Sequence, residues 1–249
     1  MGEDRMPERL PDFLGIGTQK GGTTSLHQWL RNHPQVYLPA CKEIHYFDLN
    51  NKESTQWYKQ HFKDANQNEK CGEITPFYLF HPKVPSRIKK IMPKVQIIVL
   101  LRDPVERALS QVFHARKRGF EILELEEALD AEESRIQSGC LESLQKHSYI
   151  SRSRYLEQLE RYETIFPREQ LLILKSEKLF SNPETIWTEI AEFLKIENKS
   201  INTTTFPKAN GGGGELQSVP NEIRMKLRSE LRTTALGVRE RYGFGWEWA

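Results

Sequence analysis

Little in this chain would hold a metal, a disulfide or a membrane. Its 249 residues include only three cysteines, Cys41, Cys71 and Cys140. They lack zinc-type spacing, and an odd number cannot all pair, so the set suits a reducing, cytoplasmic compartment. No apolar stretch approaches the ~20 residues of a membrane-spanning helix, and the opening Met1-Gly2-Glu3-Asp4-Arg5 does not read as a signal peptide. The formal net charge is only +2, and the basic residues are local to a few segments. That pattern gives nucleic-acid binding little support. Nor is there a G-x-x-x-x-G-K-[ST] phosphate loop. Gly17 and Gly22 have that loop's separation, but Thr23 stands in the lysine position and the lysine comes early, at Lys20.

What the chain does have is two anion-binding segments, each where a strand should hand over to a helix. In the first, Phe13 to Gly17 is a short apolar run that fits a buried strand. Gly21 and Gly22 then permit a tight turn and close backbone approach. Thr23, Thr24 and Ser25 are placed to cap a helix continuing through Leu26, Trp29 and Leu30. A helix N-terminus with Lys20 and three hydroxyls beside it favours an anion. The plainer alternative is a glycine turn with a solvated lysine.

The second segment opens with Val95 to Leu101, the strongest strand signal in the chain and suited to a central parallel strand. It ends on Arg102-Asp103-Pro104, and Pro104 suits the first turn of a helix carrying Arg107, Ser110 and Arg116. A magnesium-dependent ATP enzyme wants an aspartate near such a strand end. Arg102 instead favours a bidentate grip on phosphate. The alternative is an ion pair of Arg102 with Asp103 or Glu106.

Elsewhere, strand and helix alternate through the first half, as a parallel sheet requires. Glu73 follows a short strand entry, Lys70-Cys71-Gly72, and precedes Thr75-Pro76. A carboxylate exposed at a strand end can act as a general base, although a lone glutamate is more often a surface residue. His45 and His81 are secondary candidates, with His81 expected to face an acceptor cleft. Lys42 would add positive field. Ser151 to Phe166 reads as one helix, with Tyr155, Leu156, Leu159 and Tyr162 on a core face. Leu171 to Lys175 reads as a strand, and Asn182-Pro183 opens a helix through Leu194. Pro220 to Leu236 reads as a late helix, and Glu121 to Glu133 as an amphipathic one bearing Ile122, Leu125 and Leu129. The loop from Lys208 through Gly211 and Gly212 to Gly214 can serve as a lid or as a linker.

Taken together, these segments resemble the sulfotransferases that use 3′-phosphoadenosine 5′-phosphosulfate (PAPS). Lys20 to Ser25 (KGGTTS) is similar to the loop holding the 5′-phosphosulfate, and Arg102 to Ser110 (RDPVERALS) to the segment holding the 3′-phosphate. Lys42 to Asp48 (KEIHYFD) and Gly72 to Tyr78 (GEITPFY) resemble the heparan-sulfate type branch, whose base is a glutamate. Tyr155 to Leu159, Phe166 to Gln170 and Tyr242 to Glu247 also fit. The cytosolic aryl and steroid enzymes differ in their loop and use a catalytic histidine.

The resemblance implies one domain over residues 10–249, an α/β three-layer P-loop-like fold with a central parallel β-sheet flanked by helices. It implies PAPS as donor, adenosine 3′,5′-bisphosphate (PAP) as product and no required metal. Lys20, Gly21, Gly22, Thr23, Thr24 and Ser25 would hold one end of the donor. Arg102, Ser110, Lys208, Gly211 and Gly212 would hold the other. Glu73 would be the base, with Lys20, Lys42, His45 and His81 around the transfer. The acceptor would be a hydroxyl or amine on a carbohydrate, a lipid-like alcohol, a small metabolite or a β-hydroxyacyl chain on a carrier protein. Animal heparan-sulfate enzymes carry a Golgi anchor, so this chain reads as a soluble bacterial relative or an excised domain. Two other classes compete: an ATP-dependent kinase of P-loop type, and a non-catalytic module that binds phosphorylated partners.

Overall fold

Five short strands, β1 (Phe13–Gly17), β2 (Val36–Tyr37), β3 (Lys70–Ile74), β4 (Gln96–Leu101) and β5 (Leu171–Lys175), form one parallel sheet in the order β2-β3-β1-β4-β5. The computed structural model describes residues 9–199 and 213–249. The fold is the α/β architecture expected, with helices on both faces of the sheet. In chain order these are α1 (Thr23–Arg31), α2 (Thr55–Gln60), α3 (Phe77–Phe80), α4 (Val84–Ile91), α5 (Pro104–Lys117) and α6 (Leu125–Asp130). They continue with α7 (Glu132–Gln137), α8 (Leu141–Lys146), α9 (Tyr155–Glu163), α10 (Lys178–Ser181), α11 (Pro183–Leu194), α12 (Gly213–Gln217) and α13 (Asn221–Tyr242).

Strand alternation decides the layers. Leu14, Ile16, Ile97, Val99 and Leu101 face a core built with Tyr58, Ile88, Tyr155, Tyr162 and Val238. Phe13, Ile98 and Leu100 face the opposite way, against Leu26 and Trp29 of α1 and Trp187 and Ile190 of α11. A third cluster joins α5, α6 and α13 through Leu109, Leu129 and Leu231. The approach of β1 to β3 depends on Gly72, where an added Cβ would lie 2.1 Å from the Phe13 ring. Among the described residues, no helix is long and apolar enough to cross a membrane.

Three expectations change at element ends. The helix expected from Ser151 to Phe166 is broken: Ser151–Ser153 is a 3₁₀ turn, and α9 starts only at Tyr155. Ser153 is held away from helical pairing because its hydroxyl donates to Pro104 O at 2.7 Å and accepts from Arg107 Nε at 2.6 Å. The acidic stretch does not begin a helix at Glu121, whose carboxylate accepts the N–H groups of Ile122 and Leu123 at 2.9 Å each. That local turn delays α6 until Leu125, where Glu124 and Glu127 form a reciprocal cap, and it leaves Ile122 88% exposed. The late helix runs past Leu236 to Tyr242, and Gly243 ends it in a left-handed conformation.

Candidate active site

The carboxyl ends of β3, β1 and β4 lie side by side, and their following loops build the site. In open α/β sheets this edge is where ligands bind. The register of β1 on β4 slips between Gly15 and Gly17, a bulge at the point where the strand gives way to the loop. The loop is fastened to its neighbours: Thr18 N–H donates to Leu100 O at 2.8 Å, and Ser176 Oγ donates to Gly21 O at 2.7 Å. Gly22, at φ 88°, is the N-cap of α1, and no side chain caps it. Thr23, Thr24 and Ser25 therefore form the first turn instead of capping it as expected. Their N–H groups have no partner within the helix, which is the arrangement an anion needs. Ser25 Oγ is buried with no hydrogen-bond partner.

Lys20 adopts a left-handed backbone at φ 68° and lines a cleft of about 270 Å³ with Thr24, Lys42, Pro76, His114 and Arg118. Burial, then the charges of Arg102, Arg107, Arg118 and Lys117, pull its ammonium down to about 8. Such a lysine gains the most from an arriving anion. Lys42 bridges the cleft wall, with its Nζ 3.3 Å from Thr24 Oγ1 and 3.2 Å from Glu43 Oε1.

On the β4 side, Arg102 forms neither of the alternative ion pairs, with Asp103 or with Glu106. Its Nη1 donates to Lys20 O at 3.1 Å, while Tyr155 donates to Arg102 O at 2.8 Å. Asp103 is occupied as the N-cap of α5, accepting from Val105 N–H at 2.9 Å and Glu106 N–H at 3.1 Å, and Trp248 Nε1 donates to its other oxygen at 2.6 Å. Glu106 is paired with Arg224. Arg102 thus touches the donor-type loop directly, and Ser110 lies buried further along α5.

Glu73 is the penultimate residue of β3, in register with Leu14 of β1, and is buried at 2% exposure rather than exposed as expected, because hydroxyls of neighbouring elements close around it. Its Oε1 accepts from Tyr58 at 2.6 Å and Tyr78 at 3.0 Å, and its Oε2 accepts from Thr75 Oγ1 at 2.8 Å. Burial raises its pKa, while the three hydroxyls oppose the rise. Neither Glu73 nor His81 lines the cleft itself; Pro76 is the cleft residue of the Glu73 segment. The His81 ring is engaged locally, with Nδ1 accepting the Lys83 N–H at 3.2 Å. His45 lies between two carboxylates, 3.0 Å from Asp48 and 3.6 Å from Glu43. Burial lowers its pKa, but those partners outweigh it and raise the ring to about 9. At neutral pH His45 is therefore a cation that donates, not a base. Lys208, Gly211 and Gly212 fall outside the described residues.

Three residues escaped the sequence reading. His114 and Arg118 reach the cleft from α5 and its end, at one and two turns beyond Ser110. That i, i+4, i+8 spacing was the available signal. Burial and the charges of Lys20 and Arg118 hold His114 down to about 4, so it is neutral. Arg152 carried no signal: a lone arginine in a polar stretch is usually solvated, yet this one is only 3% exposed.

Comparison with known proteins shows the family and the fold. Residues 10–231 match the family described as the sulfotransferase domain. The chain is 31% identical over 208 residues to the bifunctional heparan sulfate N-deacetylase/N-sulfotransferase 3 of Homo sapiens, covering 78% of this chain and 23% of that protein. It is 26% identical to the heparan sulfate glucosamine 3-O-sulfotransferase 3A1 of Homo sapiens, covering 98% of this chain and 64% of that protein. The chain thus spans less than two thirds of either relative. The solved sulfotransferase of Alicyclobacillus acidocaldarius shares the fold, with a TM-score of 0.80 at 24% identity over 96% of this chain and 99% of that one.

Proposed function

Because the chain belongs to the sulfotransferase domain family, we propose that it moves the sulfonyl group of PAPS to a hydroxyl or amine, with Glu73 as general base. The observation that carries this reading is the pairing of Leu14 with Glu73, which sets a buried carboxylate on the strand beside the one that ends in the Lys20 loop. The residues suit the donor. The first-turn N–H groups of α1, with Lys20, Gly21, Gly22, Thr23 and Thr24, fit a 5′-phosphosulfate, and the unpartnered Ser25 hydroxyl lies on the same turn. Arg102 and Ser110 fit the 3′-phosphate, with Lys208, Gly211 and Gly212 as a proposed cover. When bound, PAPS supplies an activated sulfur whose leaving group is PAP.

Glu73 takes the proton of the acceptor as the acceptor oxygen or nitrogen bonds to sulfur. Lys20 neutralises charge gathering on the 5′-phosphate as the sulfur–oxygen bond breaks and its electron pair departs with PAP. His45, held cationic, and Lys42 add positive field. The acceptor class is a carbohydrate, in keeping with the heparan sulfate named in the relatives, or a small metabolite or carrier-bound β-hydroxyacyl chain.

The test is calorimetric titration with PAP, with AMP and magnesium-ATP as controls. Binding that requires the 3′-phosphate and weakens in Arg102→Ala supports the donor assignment. A preference for magnesium-ATP overturns it. Glu73→Gln should then keep PAP binding and lose turnover.

A further inference from the structure

Arg152 is a cation with almost no access to water. It is 3% exposed, and among the described residues its hydrogen-bond partners include no carboxylate. Its partners are neutral. Nη1 donates to the side-chain oxygen of Gln19, and Nη2 donates to Leu144 O at 2.7 Å and Gln145 O at 2.8 Å. Its guanidinium carbon lies 4.6 Å from the centroid of the Phe77 ring and 5.2 Å from that of Phe80. Nε has no hydrogen-bond partner.

A buried, unpaired ion is a costly way to fill a core, since an apolar side chain of similar volume avoids the desolvation. Arginine supplies two things an apolar residue does not: a planar fork of fixed geometry, and a positive charge. One arm of the fork reaches the donor loop at Gln19, and the other holds the carbonyls of Leu144 and Gln145 near the end of α8. Gln19 lines the cleft and directly precedes Lys20. Phe77 and Phe80 belong to α3, which follows the Glu73–Thr75–Pro76 segment. Arg152 therefore touches the loop that would hold the donor and the helix that follows the base.

We propose that Arg152 is a positioning residue for the sulfonyl donor, holding Gln19, and through it the Lys20 loop, at a fixed distance from the Glu73 segment. The carboxylates of Glu132, Asp48 and Glu43 act on its charge without forming an ion pair with it, and an anionic donor would add to them. The inference rests on the PAPS reading above.

A double-mutant cycle on PAP affinity tests it, using wild type, Arg152→Met, Gln19→Leu and the double variant, with thermal denaturation of each. Each single variant should bind PAP about tenfold more weakly, and the double variant should be no weaker than either single one beyond about twofold, because both break the same contact. Arg152→Lys, which keeps charge but not the fork, should recover part of the loss. If Arg152→Met does not fold, the same cycle is run with Arg152→Lys. Losses that multiply, or variants that melt earlier yet bind PAP with wild-type affinity, overturn the role and leave Arg152 a packing residue. Wild-type protein that does not bind PAP sinks the donor reading itself.

Discussion

The Tyr58 hydroxyl donates to Glu73 Oε1 across 2.6 Å, from a ring stacked on Tyr46 with centroids 4.2 Å apart and planes 5° from parallel. The stacking fixes where that hydroxyl can be, so the carboxylate is held by a rigid donor. Burial pushes Glu73 towards its neutral form, and Tyr58, Thr75 and Tyr78 hold it back.

Tyr58→Phe keeps the stacked ring and removes one of the three restraints. A hydrogen bond to the charged form lowers a carboxyl pKa, so its loss raises Glu73 further. The acid limb of the rate profile should move to higher pH, and unfolding free energy should fall by about 1–2 kcal/mol. Carbon NMR titration of the Glu73 carboxyl checks the direction. A downward shift would contradict the assignment.

Lys20 titrates near 8 before an anion arrives. A bound anion favours the protonated ammonium, so binding above that pH must take up a proton. PAP affinity should fall as pH rises through 8. Calorimetry in buffers of different ionisation enthalpy would show proton uptake at pH 8.5, and Lys20→Arg should remove both effects.

His45 contributes in the opposite pH range from a paired carboxylate. Its pKa is raised to about 9, so its stabilisation is complete below 6.5 and is lost as pH rises through about 9. Between those limits, wild type should lose roughly 2–3 kcal/mol more than His45→Gln in urea unfolding. Equal losses in the two proteins would show that the Asp48 and Glu43 contacts do not persist in solution.

Gly72→Ala places a methyl group 2.1 Å from the Phe13 ring, in the pair of strands that aligns Glu73 with the donor loop. Overpacking of this kind costs about 1–3 kcal/mol. At about 2–4 °C per kcal/mol for a chain of this size, the melting temperature should drop measurably, and turnover should fall by more than stability alone explains.

Much of this was legible beforehand because strands and turns leave local signatures. Val95 to Leu101 could hardly be anything but a buried strand, and Gly22 announces a backbone that other residues resist. The site's outline followed, since both anion segments sit at strand ends. What the sequence did not carry was direction and depth. Nothing local distinguishes His81, which binds the backbone beside it, from His114, which lines the cleft. Helix starts were misplaced where side chains satisfy the backbone from elsewhere, as Glu121 does at Ile122 and Leu123. Arg152 depends on Gln19, 133 residues away in sequence, which no window-based reading reaches.

The strand order has a consequence for how the chain is made. Phe13 belongs to the central strand, yet its neighbours are Gly72 on one side and Gln96 on the other. Synthesis runs at about 5–20 residues per second, so the first apolar strand leaves the ribosome and waits several seconds before either partner exists. Until then its backbone donors and acceptors are unpaired and its apolar side chains exposed. The interval between the first strand and the fourth is therefore when a nascent chain of this kind is most open to chaperone capture or to pairing with another copy.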